Sequence, residues 1–598
     1  MREAQTALGS DGPRSPWLSA GVSLGRVSAR NQTKTAKRLG WTIALAIGAL
    51  GLVQVYHAQL SSGFDLFPGP RGDTRLSAYL VEHGYQALLG HAHWLSPGMF
   101  YPIKGTLGFS DLYLAYVPLY SLFRLSGLDI FLALSLTVIV LSYLNFIACF
   151  ALLNKVFHYG VFASCAAAMF FAFNNPKLAQ PDHLQLQPVL LLPIIVALVF
   201  RFFAEAETLS AKKAFGILAF AALCLNLQLL TSFYIGWFFG FWGLLFLLAS
   251  LSLPPSREFI VNAVRRQWYP VVGGLIVFVV ALLPFLVIYV PAVLSVGGYG
   301  ILPQYIPETK SYLLMADGNY IWDSVTAAIL AQAGAGPDWG RRIGIGLVPS
   351  VAWIAMSMVS LFWLQQSRKR QKSQNLGHVG REDEPNRSAY LFLGLMILTT
   401  NVLVMIGWQY RGHSLWNYAQ LFLPGAQAIR AVARYAIVLT LPMAIAFAYI
   451  LQRGVQAMTR RRSLLGQISL AAVIAGVTIF GLFEQLNSGV GRNYSISGEN
   501  MRLKKLAAKL PEDCTAFYIA AGTARTYDQD GFEYQQYMHD AMLISEIRHV
   551  PTLNGRSGKS PPGWSLRNIR APDYELNVKR WIAQHKIEGN VCRLEIDS

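Results

Sequence analysis

The sequence predicts an α-helical polytopic membrane protein of about eleven transmembrane helices, followed by a small soluble C-terminal α/β domain. Three observations carry that prediction. Of the 598 residues 54% are hydrophobic and 14% are charged, where soluble domains carry about 25% charged residues. Apolar runs long enough to cross a bilayer, roughly 20 residues each, recur through the first four-fifths of the chain. From about residue 487 the composition turns soluble.

The formal charge of +18 would suit nucleic acid, but cytoplasmic loops of membrane proteins also collect Lys and Arg. The membrane reading absorbs the charge and excludes nucleic acid as a partner. Residues 1–39 form a polar, basic tail holding Arg2, Arg14, Arg26, Arg30, Lys34, Lys37 and Arg38. The first apolar run, 40–60, has no small-residue cleavage site after it and reads as an anchor.

Candidate spans are 40–60, 108–123, 129–153, 159–175, 188–204, 214–231, 232–252, 270–292, 343–364, 388–407, 430–452 and 464–486. The second is short and holds Asp111 and Pro118. Charge decides whether it crosses. If it does, Lys212-Lys213, Arg265-Arg266, Arg368-Lys369-Arg370 and Arg460-Arg461-Arg462 all face outward. If it does not, all four runs share the side of the basic N-terminal tail. The second arrangement is adopted: residues 108–123 are an interfacial or re-entrant helix on the outer face, the N-terminus is cytoplasmic and the C-terminus is outside. Arg341 and Arg342 are the exceptions to the charge rule.

The transmembrane domain then covers 40–486, with outer segments 61–128, 176–187, 293–342 and 408–429. Loop length and chemical variety gather on this side, where function is carried. In the outer domain, 487–598, residues 514–522 and 591–596 read as strands and 534–550 and 578–587 as helices. Residues 551–564, PTLNGRSGKSPPGW, are turn-rich and ordered by Pro and Gly rather than by a core. Of the five cysteines, Cys149, Cys165 and Cys224 lie in spans. Cys514 and Cys592 both begin strands in the outer domain, and an oxidising compartment would pair them.

The span centres are nearly free of ionisable groups, which argues against an ion or substrate path through the bundle. The polar groups lie in the outer loops instead. In the first loop Asp73 sits between Arg71 and Arg75. A carboxylate held within hydrogen-bond reach is a general base for a hydroxyl nucleophile; the alternative is a solvated Arg-Asp-Arg loop. Glu82 and His83 follow, and they shape the loop. His91 and His93 face one side only if the segment is extended. Asp111 suits the start of the interfacial helix by its charge. Asp317 and Asp323 lie in the long loop, whose Gly297-Gly298 and Gly334 to Gly336 suit a mobile lid.

The second outer loop places Asp182, His183 and Gln185 together. Asp182 and His183 either complete a metal site with Asp73 or orient an acceptor; Asp182 as a helix cap is the alternative. Arg430 and Arg434 stand at i and i+4 at the outer mouth of a span, against the charge trend. Phosphate recognition by a forked guanidinium explains them, as does snorkelling to the interface.

With these residues in view, the layout resembles the GT-C-fold glycosyltransferases, which include oligosaccharyltransferases, protein mannosyltransferases and lipid A aminoarabinose transferases. The strings GDTRLSAYLVEHGYQALLGHAHWLSPGMFYP, FNNPKLAQPDHLQLQP, FLPGAQAIRAVARY and PTLNGRSGKSPPGW look like a bacterial branch of that group. The resemblance implies a sugar donor on polyprenyl phosphate or pyrophosphate, an extracytoplasmic glycan or lipid acceptor, and a place in the bacterial inner membrane among membrane lipids. It implies inversion at the anomeric carbon, with the first-loop acid, here Asp73, as general base. Asp182 and His183 match the second polar position, and Arg430 and Arg434 the phosphate-binding basic residues. Arg71, Arg75, Glu82, His83 and Gln185 complete the expected substrate wall. Asp73 is followed by Thr74, where the mannosyltransferase pattern has a second acid, so a divalent metal ion is left open. Two other classes remain at this stage: a lipid or polysaccharide transporter, and a non-catalytic envelope assembly or binding protein.

Overall fold

Helix Tyr435–Thr459 is the axis of the membrane bundle. It is apolar around its whole circumference, and 94% of its apolar window is buried against other helices. The computed structural model describes residues 34–332, 340–374, 384–461, 463–488, 493–521 and 532–596. Arg2, Arg14, Arg26, Arg30, Gly334, Gly336 and Arg462 lie outside the described residues, as does Gly522 at the end of a predicted strand.

Among the described residues nine helices are long and apolar enough to cross a membrane. They are Lys34–Val55, Ile130–Val156, Leu184–Glu205, Ala211–Thr231, Phe233–Ser252, Trp268–Val296, Leu347–Gln365, Val432–Thr459 and Leu464–Phe483. The predicted spans 159–175 and 388–407 are also helical, as the 12-residue Val161–Ala172 and as Glu384–Ile406. Their apolar stretches are shorter than a full crossing. Trp268–Val296 is the opposite of the axial helix, with only 6% of its window buried. An all-round apolar helix on the rim presents side chains such as Leu275, Val279 and Val287 outward, as lipid contact requires. The chain is a multi-spanning helical membrane protein.

Residues 108–123 depart from the predicted single helix. Thr106–Phe109 is one 3-10 turn, residues 110–116 are irregular, and a helix begins only at Val117, with Pro118 in its first turn. Proline suits the first turn of a helix, where its missing N–H would have no partner. Asp111 therefore precedes the helix by six positions and serves another: its Oδ1 accepts from the Phe233 backbone N–H at 2.8 Å, capping Phe233–Ser252.

The outermost layer joins the first loop to the C-terminal segment. Strand Leu66–Phe67 pairs antiparallel with Tyr494–Ser495, and Ala516–Ala521 pairs parallel with Val591–Ile596, Phe517 opposite Cys592. A disulfide links Cys514 to Cys592, with Cα atoms 5.7 Å apart. Helix Asp73–Leu88 lies against helix Phe532–Arg548. One hydrophobic core runs through both, holding Phe67, Tyr79 and Phe100 from the loop and Met538, Leu553 and Trp581 from the C-terminal segment. Residues 551–564 are correspondingly not held by Pro and Gly alone. Thr552, Leu553 and Asn554 are fully buried, and the Thr552 and Asn554 carbonyls accept from the Tyr101 and Phe100 backbone N–H groups.

Candidate active site

Asp73 is the first residue of helix Asp73–Leu88, and its side chain is 31% exposed. Three anchors fix this helix end. Thr74 Oγ1 donates to the Pro70 carbonyl at 2.5 Å, and Ser77 Oγ donates to the Asp73 carbonyl at 3.0 Å. Ser77 Oγ also meets the Tyr113 hydroxyl at 2.8 Å, which donates on to Gln185 Oε1 at 2.8 Å. Through Tyr113 the first outer loop is thus tied to the second, and Gln185 acts as an anchor with little exposed surface.

The second loop delivers Asp182 and His183 to the same place. A Cβ added at Gly72 would stand 3.5 Å from the Asp182 carboxylate, in ordinary contact, which places Asp182 against the start of the Asp73 helix. His183 Nε2 lies 3.7 Å from Asp73 Oδ2. That is too long for a direct hydrogen bond and short enough for a bridging hydroxyl. Burial, followed by the charges of Arg434 and Arg430, holds the His183 pKa well below its usual value, which favours the neutral imidazole. On the other side of Asp73, Arg556 Nη2 approaches Oδ1 at 3.6 Å.

Arg430 and Arg434 differ locally from the helical pair the spacing predicts. Residues 429 and 431 are extended, and the long helix begins only at Tyr435. Their guanidinium groups are gathered by aromatic faces instead. Arg434 lies 4.4 Å from the Tyr234 ring centroid, and Arg430 lies 5.3 Å from that of Tyr305 and 5.9 Å from that of Tyr299. Neither arginine has a carboxylate within ion-pair distance among the described residues. Arg434 Nε is buried with no hydrogen-bond partner. Asp111 is near enough to feel Arg434; burial raises its pKa, opposed by the Phe233 N–H, Arg434 and Gln185.

The remaining predicted site residues are placed elsewhere. Arg75 is fully buried, its Nε 2.8 Å from Glu499, with Asp540 a second partner and Gln536 receiving its Nη1. Glu82 is buried and takes Arg124 at 2.8 Å and the Tyr120 hydroxyl at 2.5 Å. His83 is buried beside Glu546 at 3.3 Å. All three are buried and engaged by charged partners of the chain itself, unlike Asp73 and His183. Arg71, which is 43% exposed, pairs with Glu499 at 2.5 Å and supports the same interface.

His91 Nδ1 meets Gln86 at 3.0 Å and His93 Nδ1 accepts from the Leu95 N–H, so they form no pair. Asp317 pairs with Arg342, and Arg341 with Glu308 at 2.8 Å, so both exceptions to the charge rule have acidic partners. Asp323 accepts from the Gly318 N–H. Asp73, Asp182 and His183 are neighbours, but among the described residues no group of three or more His, Cys, Asp or Glu is arranged to hold a metal ion. The cation at Asp73 is Arg556.

Sequence reasoning passed over Arg556 and Lys559, and gave Asp111 to the start of the interfacial helix rather than to Phe233. A signal for the first two exists: Arg556, Lys559, Arg567 and Arg570 occur in 551–572 without one acidic residue. Nothing in the sequence connects Asp111 with Phe233, 122 positions away.

No family model matches the sequence, and no curated protein sequence does. Among solved structures the chain is similar to the arabinofuranosyltransferase AftD from Mycobacteria, over 87% of its length at 13% identity and a TM-score of 0.47. It is also similar to ArnT from Cupriavidus metallidurans, solved with undecaprenyl phosphate, over 87% of its length at 12% identity and a TM-score of 0.33. The chain spans 32% of the first protein and 86% of the second. Likenesses this loose place no side chain, and the site rests on its own geometry.

Proposed function

We propose that this chain is an integral membrane glycosyltransferase. It moves a sugar from a polyprenyl-(pyro)phosphate donor to an extracytoplasmic acceptor, a cell-envelope glycan or lipid, in the bacterial inner membrane. The observation that carries the reading is one juxtaposition. A partly exposed carboxylate, Asp73, stands 3.7 Å from the imidazole of His183, whose protonation is opposed by burial and then by Arg434 and Arg430, two arginines with no carboxylate at ion-pair distance among the described residues.

Each group then has a role. Asp73 accepts the proton of the acceptor hydroxyl as that oxygen forms its bond to the anomeric carbon. The bond from the same carbon to the phosphate oxygen breaks, its electron pair leaves with the phosphate, and attack from the opposite side inverts the centre. Arg430 and Arg434 neutralise the charge gathering on the departing phosphate. His183 and Asp182 orient the acceptor hydroxyl, and a neutral His183 does not compete for the carboxylate. A site at the mouth of the bundle suits a donor whose lipid tail stays in the bilayer, and holding both substrates in line supplies most of the rate.

The orientation follows the charge pattern, with the N-terminus cytoplasmic and the C-terminal segment outside. A reporter fused after Arg370 is expected to be cytoplasmic, and labelling there from outside would reverse the assignment. The reaction is tested with protein in sealed vesicles and a radiolabelled polyprenyl-phosphate sugar. The expected result is transfer to acceptor with the opposite anomeric configuration in the product. Movement of intact donor across the membrane without transfer would assign the chain to transport instead.

A further inference from the structure

Residues 555–559 form a strap from the C-terminal segment laid across the mouth of the bundle. Behind it, Leu553 and Asn554 are buried in the outer core. Ahead of it, Ser557 Oγ donates to the Phe109 carbonyl at 2.7 Å, and the Tyr299 hydroxyl donates to the Gly558 carbonyl at 3.0 Å. A Cβ added at Gly558 would stand 3.0 Å from the Tyr299 hydroxyl and 3.3 Å from the Phe109 carbonyl oxygen, so the strap is seated closely here. Lys559 Nζ donates to the Gly298 carbonyl at 3.0 Å and lies 4.2 Å from the Tyr299 ring centroid.

Tyr299 is also the ring beside Arg430. Two cations from distant parts of the chain therefore share one aromatic side chain. Neither has a carboxylate within ion-pair distance among the described residues. Partial burial and then the Arg430 charge lower the Lys559 pKa, which places the two within each other's field. With Arg434 there are three cations at the mouth, held by aromatic faces rather than by acids. Gathering like charges is unfavourable until an anion is added.

We propose that Lys559 is a third cation of the donor-phosphate site, so that the C-terminal segment completes the site that Arg430 and Arg434 begin. The inference rests on the glycosyltransferase reading above and extends it to a positioning residue. The ammonium contributes one charge-assisted hydrogen bond to a phosphate oxygen, and the strap is drawn tighter when that oxygen is present. A prenyl phosphate and free phosphate offer the same chemistry, and the experiment separates them.

The test uses the full chain in lipid nanodiscs, with farnesyl phosphate, farnesol and inorganic phosphate as probes. Lys559→Met is expected to weaken farnesyl phosphate about tenfold, to leave farnesol unchanged, and to raise the donor KM with little change in kcat. Lys559→Arg is expected to restore most of the affinity. Equal loss of farnesol affinity would make Lys559 a structural strap residue and overturn the proposal. Unchanged farnesyl phosphate binding in Lys559→Met, with loss in Arg434→Met, would overturn it while leaving the transferase reading in place. Inorganic phosphate bound as tightly as farnesyl phosphate would overturn the donor assignment. If the wild-type chain binds farnesyl phosphate no better than farnesol, the phosphate site itself falls, and with it the reading on which the proposal rests.

Discussion

Two basic clusters lie at the outer mouth, and they are opposite in how their charge is met. Arg71, Arg75 and Arg502 are matched by Glu499 and Asp540 in a closed network. Arg430, Arg434 and Lys559 have no carboxylate at ion-pair distance among the described residues and lie against tyrosine rings. The first cluster sits between helix Asp73–Leu88 and the C-terminal helices, with Arg75, Glu499 and Asp540 buried and Arg71 and Arg502 at its edge. Its charges are satisfied without any ligand. The second is held by tyrosine rings, with Asp111 the acid whose charge Arg434 feels. Arginine in a sequence does not announce which kind it is. The acids opposite it decide, and here they come from more than 400 positions away.

The difference can be broken from the matched side first. Arg75→Met leaves Glu499 and Asp540 buried with fewer partners, a change that costs about 3–5 kcal/mol. The expected outcome is a large fall in thermal stability and faster proteolysis of the C-terminal segment. The triple variant Arg75→Met, Glu499→Gln, Asp540→Asn is expected to recover part of the loss, because no charge is then left alone.

Acid probes the same cluster. Although burial pushes the Glu499 carboxyl up, Arg75, Arg502 and Arg71 pull it down from 4.5 to about 2. A depressed carboxylate stabilises the fold fully above its unfolded pKa and loses that contribution as pH falls through the folded one. The shift corresponds to about 3 kcal/mol. Protease resistance of residues 493–596 is expected to hold above pH 4.5 and to decline from there toward pH 2.

The unmatched side responds differently. Arg434→Met is expected to raise the donor KM about ten- to thirtyfold, the weight of a charge-assisted contact, without lowering the melting temperature. Removing one of several like charges relieves repulsion in the unliganded protein. A loss of stability equal to that of Arg75→Met would erase the distinction between the clusters.

The membrane bundle was legible because lipid demands long apolar segments and basic loops gather on one side, and both are local properties of sequence. Residues 108–123 were harder: Pro118 was visible, but only the fold shows that it opens a helix rather than kinking one. The placement of Asp73 beside Asp182 and His183 could be proposed because each follows a span on the same face. The burial of Arg75, Glu82 and His83 could not, since their partners Asp540, Arg124 and Glu546 are matched through tertiary packing. Lys559 was hidden for the same reason. A turn-rich string says nothing about the ring it will rest on.

The central claim is that Asp73 takes a proton during sugar transfer, and it has a direct measurement. Purified wild-type and Asp73→Asn protein are compared for turnover of a polyprenyl-phosphate sugar and, in parallel, for binding of farnesyl phosphate. Asparagine keeps the shape and removes the base. Turnover is expected to fall about a hundred- to ten-thousandfold, while binding stays within about twofold and the fold is unchanged, since Asp73 is partly exposed and its neighbours His183 and Arg556 lie beyond direct hydrogen-bond distance. Undiminished transfer by Asp73→Asn would contradict the account.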